Sequence, residues 1–174
     1  MSDPRPQSVF WGPFSGLGAI TVALTFVIDQ LHKWWMILGY QIESKGRVAL
    51  TPFLDLVFVK NKGVSYGLLA QDGHGGQWLL ALFAVLTSAF LWIWLAKTGT
   101  NRLIAVSLGF IMGGALGNAL DRVLLGGVAD FFSLHAFGFY WYVFNIADIA
   151  IVAGVVGLLY ESLVTGRTDA SNST

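Results

Sequence analysis

The chain has 174 residues, 55% of them hydrophobic and 11% charged, with a mean hydropathy of +0.66; soluble domains carry about 25% charged residues, so a polytopic membrane protein is expected. A formal net charge of +0 gives no basis for nucleic acid or an acidic polymer as partner. Zero cysteines exclude disulfides, thiolate metal sites and a cysteine nucleophile, and His32, His74 and His135 match no zinc-helix spacing, so no metal site is expected.

In chain order, MSDPRPQ reads as a disordered polar segment. Crossing a bilayer takes about 20 apolar residues, and the first such run covers about 14–38. It carries Asp29, Gln30 and Lys33 and has no A-x-A site after it, so it reads as an uncleaved anchor. Residues 39–77 contain RVALTPFLDLVFVKNKGVSYGLL, β-branched and aromatic with a KNKG turn signal, and predict a small strand-rich flap on one membrane face. The second span, 78–96, has no charge and three tryptophans and reads as scaffold. After the short KTGTN turn, the third span (103–125) sets Gly109, Gly113 and Gly117 at G-x-x-x-G spacing, which predicts close helix contact. GGVADFFSLHAFGFYWYVF follows, and its run 139–144 reads as an aromatic belt at headgroup level. The fourth span (142–164) repeats small residues at Ala150, Gly154, Ala153 and Gly157 and is expected to touch the third. The expected fold is all-α: one domain over 1–174, with four transmembrane helices and a small β-rich flap between helices 1 and 2. Four spans put both termini on one side and the flap on the other.

Asp29, Asp121, Asp130 and Asp148 lie in or near these apolar segments. An intramembrane carboxylate costs about 2.5 kcal/mol or more on insertion scales, so each is a functional candidate. Asp29 has Lys33 at i+4 and Asp121 lies beside Arg122, three residues after Asn118; both can be structural carboxylates held by a local cation. Asp130 and Asp148 have no Lys or Arg close by in sequence. Desolvation raises the pKa of such groups, and two of them brought together share a proton, as an aspartic protease requires. Asp148 lies seven residues past Trp141, about 10 Å along a continuous helix. Other readings stand beside this one. Asp130 alone suits a turn cap, Asp148 a helix-start acid with Asn145 as cap, and Asn118 with Arg122 a lipid-phosphate contact. From spacing alone, a small proton-coupled carrier fits as well as a protease.

Five blocks in order carry more. DQLHK from Asp29, NKGVSYG from Asn61 (with Tyr66 where Phe is more usual), GGALGNALDR from Gly113, GGVADF from Gly126 and FNIADIAI from Phe144 resemble the bacterial lipoprotein signal peptidases, signal peptidase II, over nearly the whole chain. The resemblance implies a membrane aspartic endopeptidase with Asp130 and Asp148 as the catalytic pair and no metal or organic cofactor. It implies that Asn118, Asp121, Arg122 and Asn145 position the pair and the substrate, with Asn61 and Gly63 contributing from the flap and Asp29 fastening the first span. It further implies diacylglyceryl-modified prolipoproteins as substrates, cut on the N-terminal side of the modified cysteine, and inhibition by globomycin-type peptides. A monomer among membrane lipids is expected, in the bacterial inner membrane, with both termini cytoplasmic and the active site near the periplasmic face. That orientation puts Lys33, Lys45, Arg47, Lys60, Lys62 and Arg122 outside and only Arg5, Lys97, Arg102 and Arg167 inside, against the positive-inside rule.

Overall fold

The computed structural model describes residues 9–63, 74–99 and 101–172, without the side chains of His74 and of 165–172. Four of its helices are long and apolar enough to cross a membrane. In chain order come α1 (Ser15–Trp34), which runs on as a π-helical turn over Trp35–Gly39, the short α2 (Ile42–Lys45), and strands β1 (Val48–Thr51) and β2 (Leu54–Asn61). They are followed by α3 (His74–Thr98), α4 (Arg102–Leu125), β3 (Val128–Ala136), β4 (Phe139–Phe144) and α5 (Ile146–Asn172). The MSDPRPQ segment and 64–73, including Tyr66 and the end of NKGVSYG, lie outside the described residues.

The bundle is organised around α4, which packs against α1, α3 and α5. Small residues make this possible on two faces. Gly113 faces Thr25 and the Val22 carbonyl of α1, and Gly114 faces the Ala147 carbonyl and Ile151 of α5; a Cβ at either position would collide with backbone. At one end of α4, Asn101 caps the helix by accepting from the Ile104 N–H (3.0 Å) and donates to Glu161 of α5 (2.7 Å). At the other, Gly126 turns the chain out with φ +70°.

That turn leads into a four-stranded antiparallel sheet of order β1-β2-β3-β4. The register of β2 on β3 runs from Leu54↔Leu134 to Asn61↔Val128, with a bulge between Leu56 and Val59. The sheet therefore draws half its strands from the connection between α4 and α5, and the aromatic run 139–144 is β4. The fourth helix begins at Ile146, so the residues around 142–144 assigned to it by hydropathy belong to the sheet. The reason is that an aromatic, β-branched stretch is as apolar as a helix start, and short apolar runs do not separate the two. A core of Met36, Ile42, Leu56, Ala129 and Phe131 seats the sheet against the end of α1, and Phe132 stacks on His32 at 5.3 Å.

Candidate active site

One face of α1 carries Asp29, Gln30 and Lys33, all buried. The Lys33 ammonium has three protons and uses each: Asp29 Oδ2 at 2.8 Å, Asp121 Oδ2 at 2.8 Å and Asn118 Oδ1 at 2.9 Å. Gln30 Nε2 adds donation to Asp29 (3.2 Å) and Asp121 (3.0 Å). Gly117 lies directly against Asp29, where a Cβ would strike the carboxylate. The remaining acceptor capacity reaches out to the backbone. Asp29 Oδ1 accepts from the N–H of Ala147 (2.9 Å), and Asp121 Oδ2 from the N–H of Ala129 (3.1 Å). Ala147 precedes Asp148 and Ala129 precedes Asp130. The ammonium thus yokes two carboxylates, and each of these grips the chain one residue before another aspartate.

Those other two are held by neutral amides. Asn145 is the cap of α5: its Oδ1 accepts from the Asp148 N–H (3.0 Å), while Asp148 Oδ2 accepts from the Asn145 N–H (3.2 Å), a reciprocal capping pair. The Asn145 amide nitrogen then donates to Asp130 Oδ1 at 2.6 Å and to Asn118 Oδ1 at 3.2 Å. Asn118 Nδ2 donates to Asp148 Oδ1 (3.0 Å), and Asn61 Nδ2 to Asp130 Oδ2 (3.1 Å). Asn145 therefore joins the start of α5 to β3, and Asn118 passes the geometry of the yoke to Asp148. Burial pushes the Asp130 carboxyl up to about 7, and the charge of Asp148 adds to the effect, against the lowering by Asn61 and Asn145.

Asp130 and Asp148 line one cavity of about 310 Å³ together with Asn61, Gly63, Asn118 and Arg122. Arg122 donates to the carbonyls of Asn118 (3.1 Å) and Gly63 (3.2 Å), fastening the end of β2 over α4. The remaining wall is apolar: Leu80, Phe83 and Thr87 of α3 stand on one side and Ile151 of α5 on the other, over Ala115 of α4. The cavity thus joins a polar cluster around Asp130 and Asp148 to a largely apolar wall.

The structure brings all nine sequence-derived candidates into one cluster, six on the cavity wall and Asn145, Asp29 and Asp121 behind it. Two local expectations change. Asp121 is held by Lys33 and Gln30, while Arg122 turns to backbone carbonyls; Arg122 follows Asp121 directly, and adjacent residues on a helix face different ways. Asp148 lies in the first turn of α5, since the residues before it are strand, and so stands nearer the helix mouth than a continuous helix from Trp141 would place it. Sequence reading missed Gln30 and assigned Lys33 to Asp29 alone. The available signal was the i, i+1, i+4 spacing of three polar groups on an otherwise apolar helix.

Two solved structures share this architecture. Both are bacterial membrane enzymes solved by the in meso method, at 2.3 Å and 1.9 Å resolution. The first is 26% identical with a TM-score of 0.71, over 91% of this chain and 92% of that one; the second is 25% identical with a TM-score of 0.74, over 88% and 97%. The fold is thus that of a bacterial integral membrane enzyme. Residues 21–164 match the family described as Signal peptidase (SPase) II. The lipoprotein signal peptidase of Methylobacterium sp. (strain 4-46) is 52% identical over 156 residues, 89% of this chain and 94% of that protein. That of Methylocella silvestris is 49% identical over 151 residues, 87% and 88%. The chain belongs to the signal peptidase II family and is a multi-pass membrane peptidase. Nothing in these likenesses favours a proton-coupled carrier.

Proposed function

We propose that the chain is an aspartic endopeptidase in which Asp130 and Asp148 together cut diacylglyceryl-modified prolipoproteins on the N-terminal side of the modified cysteine. The observation that carries this reading is the pair itself: two carboxylates on one cavity wall, joined through Asn145 and contacted directly by amides. Burial, with the charge of Asp148 adding to it, pushes the Asp130 carboxyl up to about 7, so Asp130 is taken as the acid of the pair and Asp148 as the base. Ionised Asp148 takes a proton from water as its oxygen attacks the scissile carbonyl carbon, and Asp130 gives its proton to the carbonyl oxygen. In the tetrahedral intermediate the proton on Asp148 passes to the cysteine nitrogen, the C–N bond breaks, and Asp130 recovers a proton from the intermediate's hydroxyl. The products are a signal-peptide carboxylic acid and a lipid-modified cysteine with a free amine, and the acid's proton passes to the amine to leave carboxylate and ammonium. The apolar wall between α3 and α5 suits the signal-peptide segment and acyl chains.

The same reading places the sheet and cavity at the periplasmic face of the inner membrane, both termini in the cytoplasm, and a single domain acting as a monomer among lipids. The opposing count of basic residues weakens once burial is considered. Of six on the outer side, Lys33 is enclosed by its yoke and Arg122 by the cavity wall, leaving four against four. The deciding experiment is cleavage of one precursor with and without its diacylglyceryl group by the purified chain. Cutting confined to the lipidated form, and lost in Asp130→Asn and in Asp148→Asn, is expected. Equal cutting of both forms would refute the substrate, and substantial turnover by either variant would refute the pair.

A further inference from the structure

The sheet packs against the end of α1. Ala129 of β3 is bonded to Asp121, whose other partners are Gln30 and Lys33 of α1, and three residues further on Phe132 stacks on His32. Residues 30–33 are one helical turn, and Phe131 packs on Met36 just beyond it, so β3 lies across the end of α1. The apolar stretch of α1 continues beyond that turn through Trp35, 57% exposed, and Leu38, 67% exposed. From Phe132 the strand runs on to Ala136, about 13 Å at 3.3 Å per residue, so the tip extends beyond the contact with His32.

The projecting part has two unlike faces, because directly paired residues share a face and successive ones alternate. Leu54 with Leu134, Leu56 with Phe132, and Ala136 with Phe139 form an apolar face that starts on α1 and leads out to the tip. Asp55 with Ser133, and His135 with Tyr140, form the opposite face, where Arg47 bonds Asp55 at 2.7 Å and lies 4.4 Å over the Tyr140 ring. The turn at the tip is Phe137–Gly138, with φ +51° and +81°, a backbone that favours Asn-Gly. A phenylalanine there is strained, and its side chain is 97% exposed. The neighbouring tip residue Phe53, whose carbonyl accepts from the His135 N–H, is exposed too, as are Phe139 and Trp141. No Asp, Glu, Lys or Arg occurs from 136 to 147.

We propose that the two hairpin tips, carrying Phe53 and Phe137, Phe139 and Trp141, insert into the headgroup and upper acyl region of the bilayer on the active-site side. The apolar face lies in lipid, the Arg47–Asp55–Tyr140 face is turned to water, and the strand bearing Asp130 is thereby held at a fixed depth. Aromatic side chains suit that boundary, and a surface this apolar needs an occupant.

The absence of native cysteine allows a clean test. Phe137→Cys, and as a second variant Phe139→Cys, would each carry a nitroxide label in phosphatidylethanolamine–phosphatidylglycerol vesicles, with Ser44→Cys on exposed α2 as the aqueous control. Retained precursor cleavage in detergent certifies the fold of each labelled protein. The expected result is that both tip labels relax strongly with oxygen and weakly with a nickel chelate, the reverse of the label at Ser44. Tip labels as accessible to nickel as the control would overturn the proposal. Labels that become protected only when precursor is added would also overturn it, by assigning the tips to the substrate instead.

Discussion

Asp29 and Asp121 share one ammonium, whereas Asp130 and Asp148 share one asparagine. All four belong to the same cluster, yet Lys33 bonds both members of the first pair at 2.8 Å, whereas the hydrogen bonds seen to the second pair among the described residues come from amides. A carboxylate bonded to a cation is charge-paired and can serve as an anchor; one held by neutral donors can exchange a proton. On the proposed assignment, the partner's charge, not the residue type or its burial, separates an anchor from a reactive acid. The two pairs are also joined in series, because each anchor bonds the N–H immediately before a reactive aspartate.

Exchanging carboxylate for amide should break the two pairs differently. Asp130→Asn and Asp148→Asn remove the proton donor or the base itself, and cleavage is expected to fall by about 10²–10⁴-fold or more, with little change in the detergent melting curve. Asp29→Asn and Asp121→Asn should lower melting temperature and leave measurable turnover, since the reactive acids remain. Turnover assays and melts on the four variants in parallel would check this; equal losses of activity at all four would erase the distinction. Next in size is Lys33→Met. It leaves two buried carboxylates without their cation, a change that typically costs about 3–5 kcal/mol. Adding Asp121→Asn to that variant should recover part of the stability, as read by thermal or denaturant unfolding. A double variant less stable than Lys33→Met alone would contradict the yoke.

The division was partly legible in the chain. Asp29 and Lys33 are four apart on one helix, so their pairing could be read directly, and the lack of a sequence-local cation at Asp130 and Asp148 singled those two out. What could not be read depends on contacts far apart in sequence. Lys33 meets Asn118 and Asp121 across 85 and more residues because Gly113 and Gly117 let α4 approach α1 closely. The pairing of β2 with β3 was hidden for another reason. Apolar content alone reads the neighbouring run 139–144 as a belt and its end as a helix start, and only cross-strand register reveals a sheet. The family blocks named the candidate residues; they carried no information on which atoms bond.

A smaller effect tests the reactive pair by pH. With Asp130 raised to about 7, its proton is needed in the ground state, so kcat is expected to decline as pH rises through about 7. The linked stability has the same sign. The folded form binds a proton that the unfolded chain releases near pH 4, so folded stability decreases between about pH 4 and 7 and is level above. Melting curves of the native chain and Asp130→Asn should therefore diverge across that interval, the native chain losing ground. Parallel curves would remove burial as the cause of the raised value.

The smallest effect concerns a third kind of carboxylate, outside the cluster. Asp55 of β2 accepts from Arg47 at 2.7 Å and lies 3.1 Å from His135 Nε2, and the Arg47 hydrogen bond is the main reason its carboxyl sits below the usual range. Here the linkage runs the other way from Asp130. The lowered value contributes stability that is present above about pH 4 and is lost as pH falls through the folded value. Asp55→Asn should thus melt slightly lower than the native chain at pH 7, with the difference shrinking as pH is taken below about 4, and with cleavage unchanged. The effect is small because Arg47 is about half exposed and solvent screens the pair. A large loss of cleavage in Asp55→Asn would mean that the water-facing side of the sheet, and not only the amide-held pair beneath it, takes part in placing Asp130.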